Sequence, residues 1–224
     1  MTRPARAEPI SIDGPAGPLE ALLEQPEVTA GAGFAVICHP HPLHGGSMHN
    51  KVVYTLARAC QERGLSTLRF NYRGVGASAG RYDNGRGETD DALAVVASAR
   101  TRWPGAALTL AGFSFGAMVS LGAAASAAPA RLISVAPAVT YPEFERLPRP
   151  QCPWLIVQGE ADEVVRCVDV QAFAARFQPP PRLVVLPGVG HFFHGRLPEL
   201  RDAAIEFLAS SDTVAASAED EEAQ

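Results

Sequence analysis

The segment Gly112-Phe113-Ser114-Phe115-Gly116 restricts the fold of this chain more than any other. It follows the apolar run 108–111, which predicts a buried strand, and it precedes the small-residue segment 117–128, which predicts a helix. A serine between glycines at such a junction is typical of a nucleophile elbow, a tight turn that strains the serine backbone and exposes its hydroxyl group. The alternative is a glycine-rich turn whose serine has no chemical role.

Strands alternate with helices along most of the remaining chain. Segments 9–13 and 19–25 flank a turn at 14–17 and predict a short antiparallel hairpin. Mainly apolar segments predict strands at 34–38, 108–111, 131–136, 154–158 and 182–186, and a further strand at 66–70 follows Gly64, a natural helix stop. The segments between them predict helices at 50–63, 88–101, 117–128, 168–177 and 198–209. This alternation predicts an α/β fold with a mostly parallel central sheet and helices on both of its faces.

The length of 224 residues suits one domain with a sizeable core, which we place at residues 9–210. We expect residues 1–8 to be a disordered N-terminus. Residues 211–224 form a predicted acidic disordered tail, because they contain many alanines and no aromatic residue that would bury apolar surface. The acids of this tail account for the net charge of −5, so the domain itself is close to neutral.

Composition excludes several classes of partner. The arginines are scattered among acidic residues and Lys51 is the only lysine, so we expect no binding to nucleic acid. No apolar segment is long enough to span a bilayer, and no signal-peptide pattern follows the N-terminus, so we expect a cytoplasmic protein without a membrane partner. We expect the four cysteines to be buried, reduced thiols, as is usual in the cytoplasm, and they form no C-x-x-C pair. Nothing in the sequence indicates an oligomeric state.

Two loops after later predicted strands carry an acid and a base. Gly159-Glu160-Ala161-Asp162 follows one strand, and Gly188-Val189-Gly190-His191 follows the next. The order Ser114, Asp162, His191 is the order of a Ser-acid-His triad in this kind of sheet, whose active groups lie beyond the carboxyl ends of the strands. Serine needs an imidazole to take its proton, and the imidazole needs an anion to orient it and to stabilise its charged form.

Other side chains compete for the roles of base and acid. His194 is a second candidate base, but it lies one turn further from the strand end than His191. Glu160, Glu163 and Asp169 are the competing acids. We expect Asp169 to lie in the first turn of a helix, where acidic residues commonly serve as solvated charges.

Four histidines crowd the loop after the first parallel strand, at positions 39, 41, 44 and 49. Their spacing matches no compact zinc motif, and no cysteine or carboxylate stands beside them in a matching pattern. We therefore expect no metal and no other cofactor. His39 is expected to brace the loop.

Four sequence blocks resemble those of small, cap-less bacterial α/β-hydrolases, which are similar to dienelactone hydrolases and carboxylesterases. The blocks are CHPHP at 38–42, GGSMHNK at 45–51, FNYRGVG at 70–76 and GFSFG at 112–116, and the resemblance spans residues 8–209. It implies an α/β-hydrolase fold with a minimal cap domain or none. It also implies a serine hydrolase that cleaves small carboxylic esters or thioesters through an acyl-enzyme.

The resemblance further implies an oxyanion hole formed by the backbone N–H groups of His41 and Phe115. The block at 39–42 is similar to the family's His-Gly-x-Pro loop, although Pro40 replaces the commoner glycine and has no N–H to donate. Segment 73–78 resembles the loop that shapes the floor of the pocket, with a plain turn as the alternative. A peptidase or lactonase of the same fold, or a non-catalytic ligand-binding or scaffold protein, remains an alternative function.

The segment 140–150 between two predicted strands is too short for a helical lid, so we expect an open pocket for short or water-soluble acyl groups. Several aromatic side chains are candidates for its wall. They are Phe113, Phe115, Tyr141, Phe144, Phe192 and Phe193.

Overall fold

The computed structural model describes residues 6–26, 33–142 and 147–221. Its strands are β1 (Arg6–Gly14), β2 (Gly17–Gln25), β3 (Phe34–Cys38), β4 (Ser66–Phe70), β5 (Leu108–Phe113), β6 (Arg131–Val135), β7 (Trp154–Gly159) and β8 (Arg182–Leu186). They form an eight-stranded sheet in the order β1-β2-β4-β3-β5-β6-β7-β8. Strands β1 and β2 pair antiparallel with each other, and β2 pairs antiparallel with β4; the remaining pairs are parallel. The predicted mostly parallel sheet is confirmed.

The helices are α1 (Lys51–Glu62), α2 (Arg86–Arg102), α3 (Phe115–Ala127), α4 (Cys167–Ala174) and α5 (Leu197–Glu221). Helices α1 and α5 contribute to one apolar core cluster, and α2, α3 and α4 contribute to another. The sheet therefore carries helices on both faces. Strands that are covered on both faces commonly have mainly apolar sequences. Among the described helices, none is both long and apolar enough to span a membrane.

Several element boundaries differ from the sequence prediction. Strand β1 begins at Arg6 rather than residue 9, and α5 runs to Glu221 rather than ending at 209. Helix α2 begins at Arg86, two residues before the predicted start, because Gly85 turns the chain with a φ of 88° and Glu88 accepts its N–H at 2.7 Å. The division of the chain at residues 8 and 210 stays a prediction.

Buried polar side chains connect the loop after β3 to the sheet. Asn71 Oδ1 accepts the backbone N–H of Met48 at 2.9 Å, and Asn71 Nδ2 donates to Glu20 Oε2 at 2.7 Å. Arg69 forms a buried ion pair with Glu24 at 2.9 Å and also donates to the Met48 carbonyl at 2.8 Å. These contacts fasten the loop after β3 to β4 and β2, so Met48 and Asn71 contribute a structural link between the two blocks.

Candidate active site

The serine turn between β5 and α3 is strained. Ser114 has φ 55° and ψ −117°, a conformation that costs a non-glycine residue about 1–3 kcal/mol. Its backbone N–H donates to the Val135 carbonyl at 2.9 Å, which holds the turn against β6. A Cβ atom on Gly112 would lie 2.1 Å from the Gly116 carbonyl oxygen, and one on Gly116 would lie 2.3 Å from that of Cys38. Glycine is therefore required on both sides of the serine, as the sequence predicts.

The three predicted triad residues lie together at the carboxyl edge of the sheet. His191 Nε2 is 3.2 Å from Ser114 Oγ, and His191 Nδ1 is 2.9 Å from Asp162 Oδ2. Because an ionised carboxylate can only accept, Nδ1–H donates to Asp162 and Nε2 is left to accept from the serine hydroxyl. His191 is 3% exposed and Asp162 is 6% exposed, so water is largely excluded from this chain of contacts.

The surroundings of Asp162 keep its carboxylate ionised. Its Oδ1 accepts the backbone N–H groups of Val164 at 2.8 Å and Val165 at 2.7 Å, and its Oδ2 also accepts Gln158 Nε2 at 3.0 Å. Burial acts to raise the pKa of Asp162, but the hydrogen bonds from His191 and the two backbone groups outweigh it and lower this pKa. The acid can therefore stay charged while it supports a protonated imidazole.

The competing candidates are engaged elsewhere. His194 Nδ1 lies 2.7 Å from Lys51 Nζ, and Asp169 pairs with Arg166 at 2.8 Å. Glu160 accepts the backbone N–H of Gly188 at 3.0 Å.

Glu163 has a role that the sequence does not reveal. Its Oε2 accepts the backbone N–H of His191 at 3.1 Å, so it holds the loop that carries the imidazole and leaves the ring to Asp162. A carboxylate that binds a backbone group of another loop leaves no pattern in the sequence.

The two predicted oxyanion donors lie on adjoining segments. The close approach of Gly116 to the carbonyl oxygens of Cys38 and His39 seats the start of α3 against the loop that carries His41. Within the described part of the chain, the backbone N–H groups of His41 and Phe115 donate to no protein acceptor. The His41 carbonyl accepts from His44 at 3.1 Å and Gly46 at 3.0 Å, which fixes the loop conformation.

The expected aromatic wall is only partly present. Phe113 and Phe193 are wholly buried in the cluster with α1 and α5, and the Phe113 ring packs beside that of His191 at 5.0 Å between centroids. These two side chains are core residues because their backbone positions direct them toward the helices. Tyr141 and Phe192 reach the surface, whereas Phe144 lies outside the described residues.

His39 braces the loop after β3. It is fully buried, its Nδ1 lies 2.6 Å from the Pro40 carbonyl oxygen, and its Nε2 accepts the backbone N–H of Tyr72 at 3.1 Å. This pattern requires the neutral ring, and burial lowers the pKa of His39 to about 3. Across the described residues, no group of three or more histidine, cysteine or acidic side chains is placed to hold a metal ion.

The buried His39 predicts a loss of stability in acid. An unfolded chain binds a proton on this histidine below pH 6.5, whereas the folded protein does so only near pH 3. Stability therefore falls as the pH is lowered between these values, by about 2 kcal/mol from pH 7 to pH 5 for this one group. Urea unfolding at both pH values measures the effect.

The matched variant is His39→Gln, which cannot ionise in this range but offers an acceptor for the Tyr72 N–H. Between pH 7 and pH 5 it should lose about 2 kcal/mol less stability than the parent. Equal losses in the two proteins would show that the folded protein binds a proton on His39 as readily as the unfolded chain does.

The mostly parallel sheet and the serine turn after β5 define the class of α/β-hydrolases. Comparison with known proteins gives the family. Residues 41–149 match the family model described as serine aminopeptidase S33. The structure of an α/β serine hydrolase homologue from Coxiella burnetii is 49% identical, with a TM-score of 0.86 over 92% of this chain and 97% of that one.

A second similar structure, from Xanthomonas campestris, is described as a member of the α/β serine hydrolases without lid. It is 42% identical, with a TM-score of 0.87 over 94% of this chain and 97% of that one. An uncharacterized protein of Rickettsia prowazekii is 32% identical over 210 residues, which are 89% of this chain and 87% of that protein. The chain belongs to the α/β serine hydrolase family.

Proposed function

We propose that the protein hydrolyses carboxylic esters or thioesters through an acyl-enzyme on Ser114. The observation that carries this proposal is the pair of hydrogen bonds that joins Ser114 to His191 and His191 to Asp162. Ser114 is the nucleophile, His191 the general base and acid, and Asp162 the anion that orients the imidazole. The backbone N–H groups of His41 and Phe115 bind the oxyanion.

Acylation begins when Ser114 Oγ attacks the carbonyl carbon and its proton passes to His191 Nε2. The carbonyl oxygen becomes an oxyanion and accepts hydrogen bonds from the two backbone donors. Each such donor contributes on the order of 3 kcal/mol to stabilisation of the transition state. Asp162 stabilises the imidazolium through Nδ1–H and does not itself become protonated.

The tetrahedral intermediate collapses when His191 Nε2–H protonates the leaving oxygen or sulfur, which departs as an alcohol or thiol. Water then enters the position that the alcohol or thiol has left, gives a proton to His191 and attacks the acyl carbon. The second intermediate releases the carboxylic acid, and Ser114 Oγ recovers its proton from His191. The cycle needs no metal ion and no cofactor.

A peptide substrate is the second candidate, because the matching family model is described as a serine aminopeptidase. His191 would then protonate the nitrogen of the scissile amide so that it departs as an amine, because the unprotonated nitrogen is a poorer leaving group than an alkoxide. Lactones differ from open esters only in that the leaving group stays attached to the acyl group.

A substrate panel distinguishes these functions. We expect 4-nitrophenyl acetate and butyrate to be cleaved with higher kcat/KM than 4-nitrophenyl laurate, because short acyl groups suit a site without a lid. Acyl-CoA substrates test thioesters, a γ-lactone tests lactones, and aminoacyl 4-nitroanilides test peptidase activity.

Cleavage of an anilide faster than every ester would make the protein a peptidase. Absence of all turnover together with absence of labelling by a fluorophosphonate would make it a non-catalytic member of the family.

We place this activity in the cytoplasm, acting on a small molecule. All four cysteines are free thiols and three of them are buried, which suits a reducing compartment.

Burial raises the pKa of Cys38 and that of Cys60 to about 12, so neither competes with Ser114 as a nucleophile.

A further inference from the structure

Four aromatic side chains form a continuous patch next to the serine turn: His41, Tyr82, Phe115 and Tyr141. The ring centroid of His41 lies 4.8 Å from that of Phe115, 5.0 Å from that of Tyr82 and 6.1 Å from that of Tyr141. Phe115 is buried, whereas the other three rings are partly exposed. We call this set the aromatic patch; its spacings are those of stacked and tilted aromatic pairs.

Hydrogen bonds fix the His41 ring within the patch, whose members come from four different segments. His41 follows β3, Tyr82 follows β4, Phe115 begins α3, and Tyr141 follows β6. His41 Nδ1 accepts the Leu43 N–H at 3.2 Å, so the proton of the neutral ring is on Nε2, which donates to Tyr82 Oη at 3.1 Å. A ring preorganised in this way loses little entropy when a ligand binds.

The patch adjoins Ser114, because Phe115 follows the serine and the start of α3 packs against the loop that carries His41. The leaving group must receive a proton from His191 Nε2, so it lies on the side of the base loop, where the Phe192 ring packs edge-on to His191 at 5.1 Å. The oxyanion points to the N–H groups of His41 and Phe115. The acyl substituent is left on the side away from His191, and the patch contains both oxyanion residues and no residue of the base loop.

We propose that the aromatic patch is an acyl-binding site that selects flat aromatic acyl groups, such as benzoyl and cinnamoyl. This inference rests on the proposed function and narrows its substrate class. A planar ring can stack on the exposed rings of Tyr82, His41 or Tyr141. A saturated ring of the same size buries similar apolar area but gains no such stacking.

The test compares two esters of equal acyl size, 4-nitrophenyl benzoate and 4-nitrophenyl cyclohexanecarboxylate. The ratio of their kcat/KM values is divided by the ratio of their rates of hydrolysis by hydroxide, which removes their intrinsic difference in reactivity. In the parent protein this corrected ratio should favour benzoate. Tyr141→Leu should lower the ratio by about three- to tenfold, because it keeps apolar volume but removes the ring.

Two further variants complete the test. Tyr141→Phe keeps the ring and should restore the parent ratio. Tyr54→Leu removes a partly exposed tyrosine from α1, on an element that contributes nothing to the patch, and should also give the parent ratio. Tyr82→Leu is the reserve variant, because the loss of its bond to His41 would slow every ester alike and such a common effect cancels in the ratio.

The proposal is overturned if the corrected parent ratio is near one, or if Tyr141→Leu and Tyr54→Leu give equal ratios. Near-UV circular dichroism of each variant shows whether it is folded. If Tyr141→Leu does not fold, the corrected ratio of Tyr82→Leu takes its place in the test. If the parent protein cleaves neither ester and takes up no fluorophosphonate, the proposed function itself has failed. An active enzyme without preference refutes the acyl-site proposal alone.

Discussion

Replacing Ser114 with alanine is expected to abolish ester hydrolysis, with a fall in kcat on the order of a millionfold, as found when a serine hydrolase loses its nucleophile. The reason is geometric, because Ser114 Oγ is the hydroxyl that lies 3.2 Å from His191 Nε2. Alanine leaves the imidazole and the oxyanion donors in place but provides no atom that can form the acyl-enzyme. Hydrolysis of 4-nitrophenyl butyrate and covalent labelling by a fluorophosphonate measure the loss.

The control for this variant is Ser47→Ala. Ser47 lies on the loop after β3, where its hydroxyl accepts the backbone N–H of His49 at 3.3 Å. This variant should be labelled as fast as the parent. Persistent labelling of Ser114→Ala would place the nucleophile on another residue and would remove the basis of the proposed mechanism.

The sequence was most informative at positions where the backbone admits only one residue type. Gly112 and Gly116 predict the sharp turn at Ser114, because carbonyl oxygens occupy the space that a side chain would need at either position. Strands β3 and β4 were predicted with their observed bounds: β3 is apolar along its whole length, as expected of a strand covered on both faces, and β4 follows the helix stop at Gly64.

The sequence was least informative where a side chain binds the backbone of a distant segment. Asn71 reaches Met48, and Glu163 reaches the N–H of His191, but no local pattern distinguishes them from solvated residues. Residue type also does not say which face a ring occupies. Phe113 was a candidate for the pocket wall and proved to be core, whereas Tyr82 was not singled out and lies in the aromatic patch.

The second large effect is expected for Asp162→Asn, which should lower kcat on the order of a thousandfold or more. Asp162 Oδ1 accepts two backbone N–H groups, so an asparagine would place its carbonyl oxygen there and turn its NH₂ group toward His191 Nδ1. That NH₂ group donates, which forces Nδ1 to accept and moves the ring proton to Nε2. The imidazole then cannot take the proton of Ser114, and its charged form has lost its anionic partner.

The matched controls are Glu160→Gln and Glu163→Gln, measured with the same ester. Each glutamate accepts a backbone N–H rather than the imidazole, and glutamine keeps an oxygen that can accept the same bond. The kcat of both variants should therefore stay within about tenfold of the parent value. An effect of that size is expected when a charged hydrogen-bond acceptor is replaced by a neutral one. If Asp162→Asn were nearly as active as the parent while one glutamine variant was inactive, Ser114 and His191 would keep their roles, but the acid would be that glutamate. The bond between His191 Nδ1 and Asp162 favours the opposite result, because it is the contact that selects the tautomer on which the first proton transfer depends.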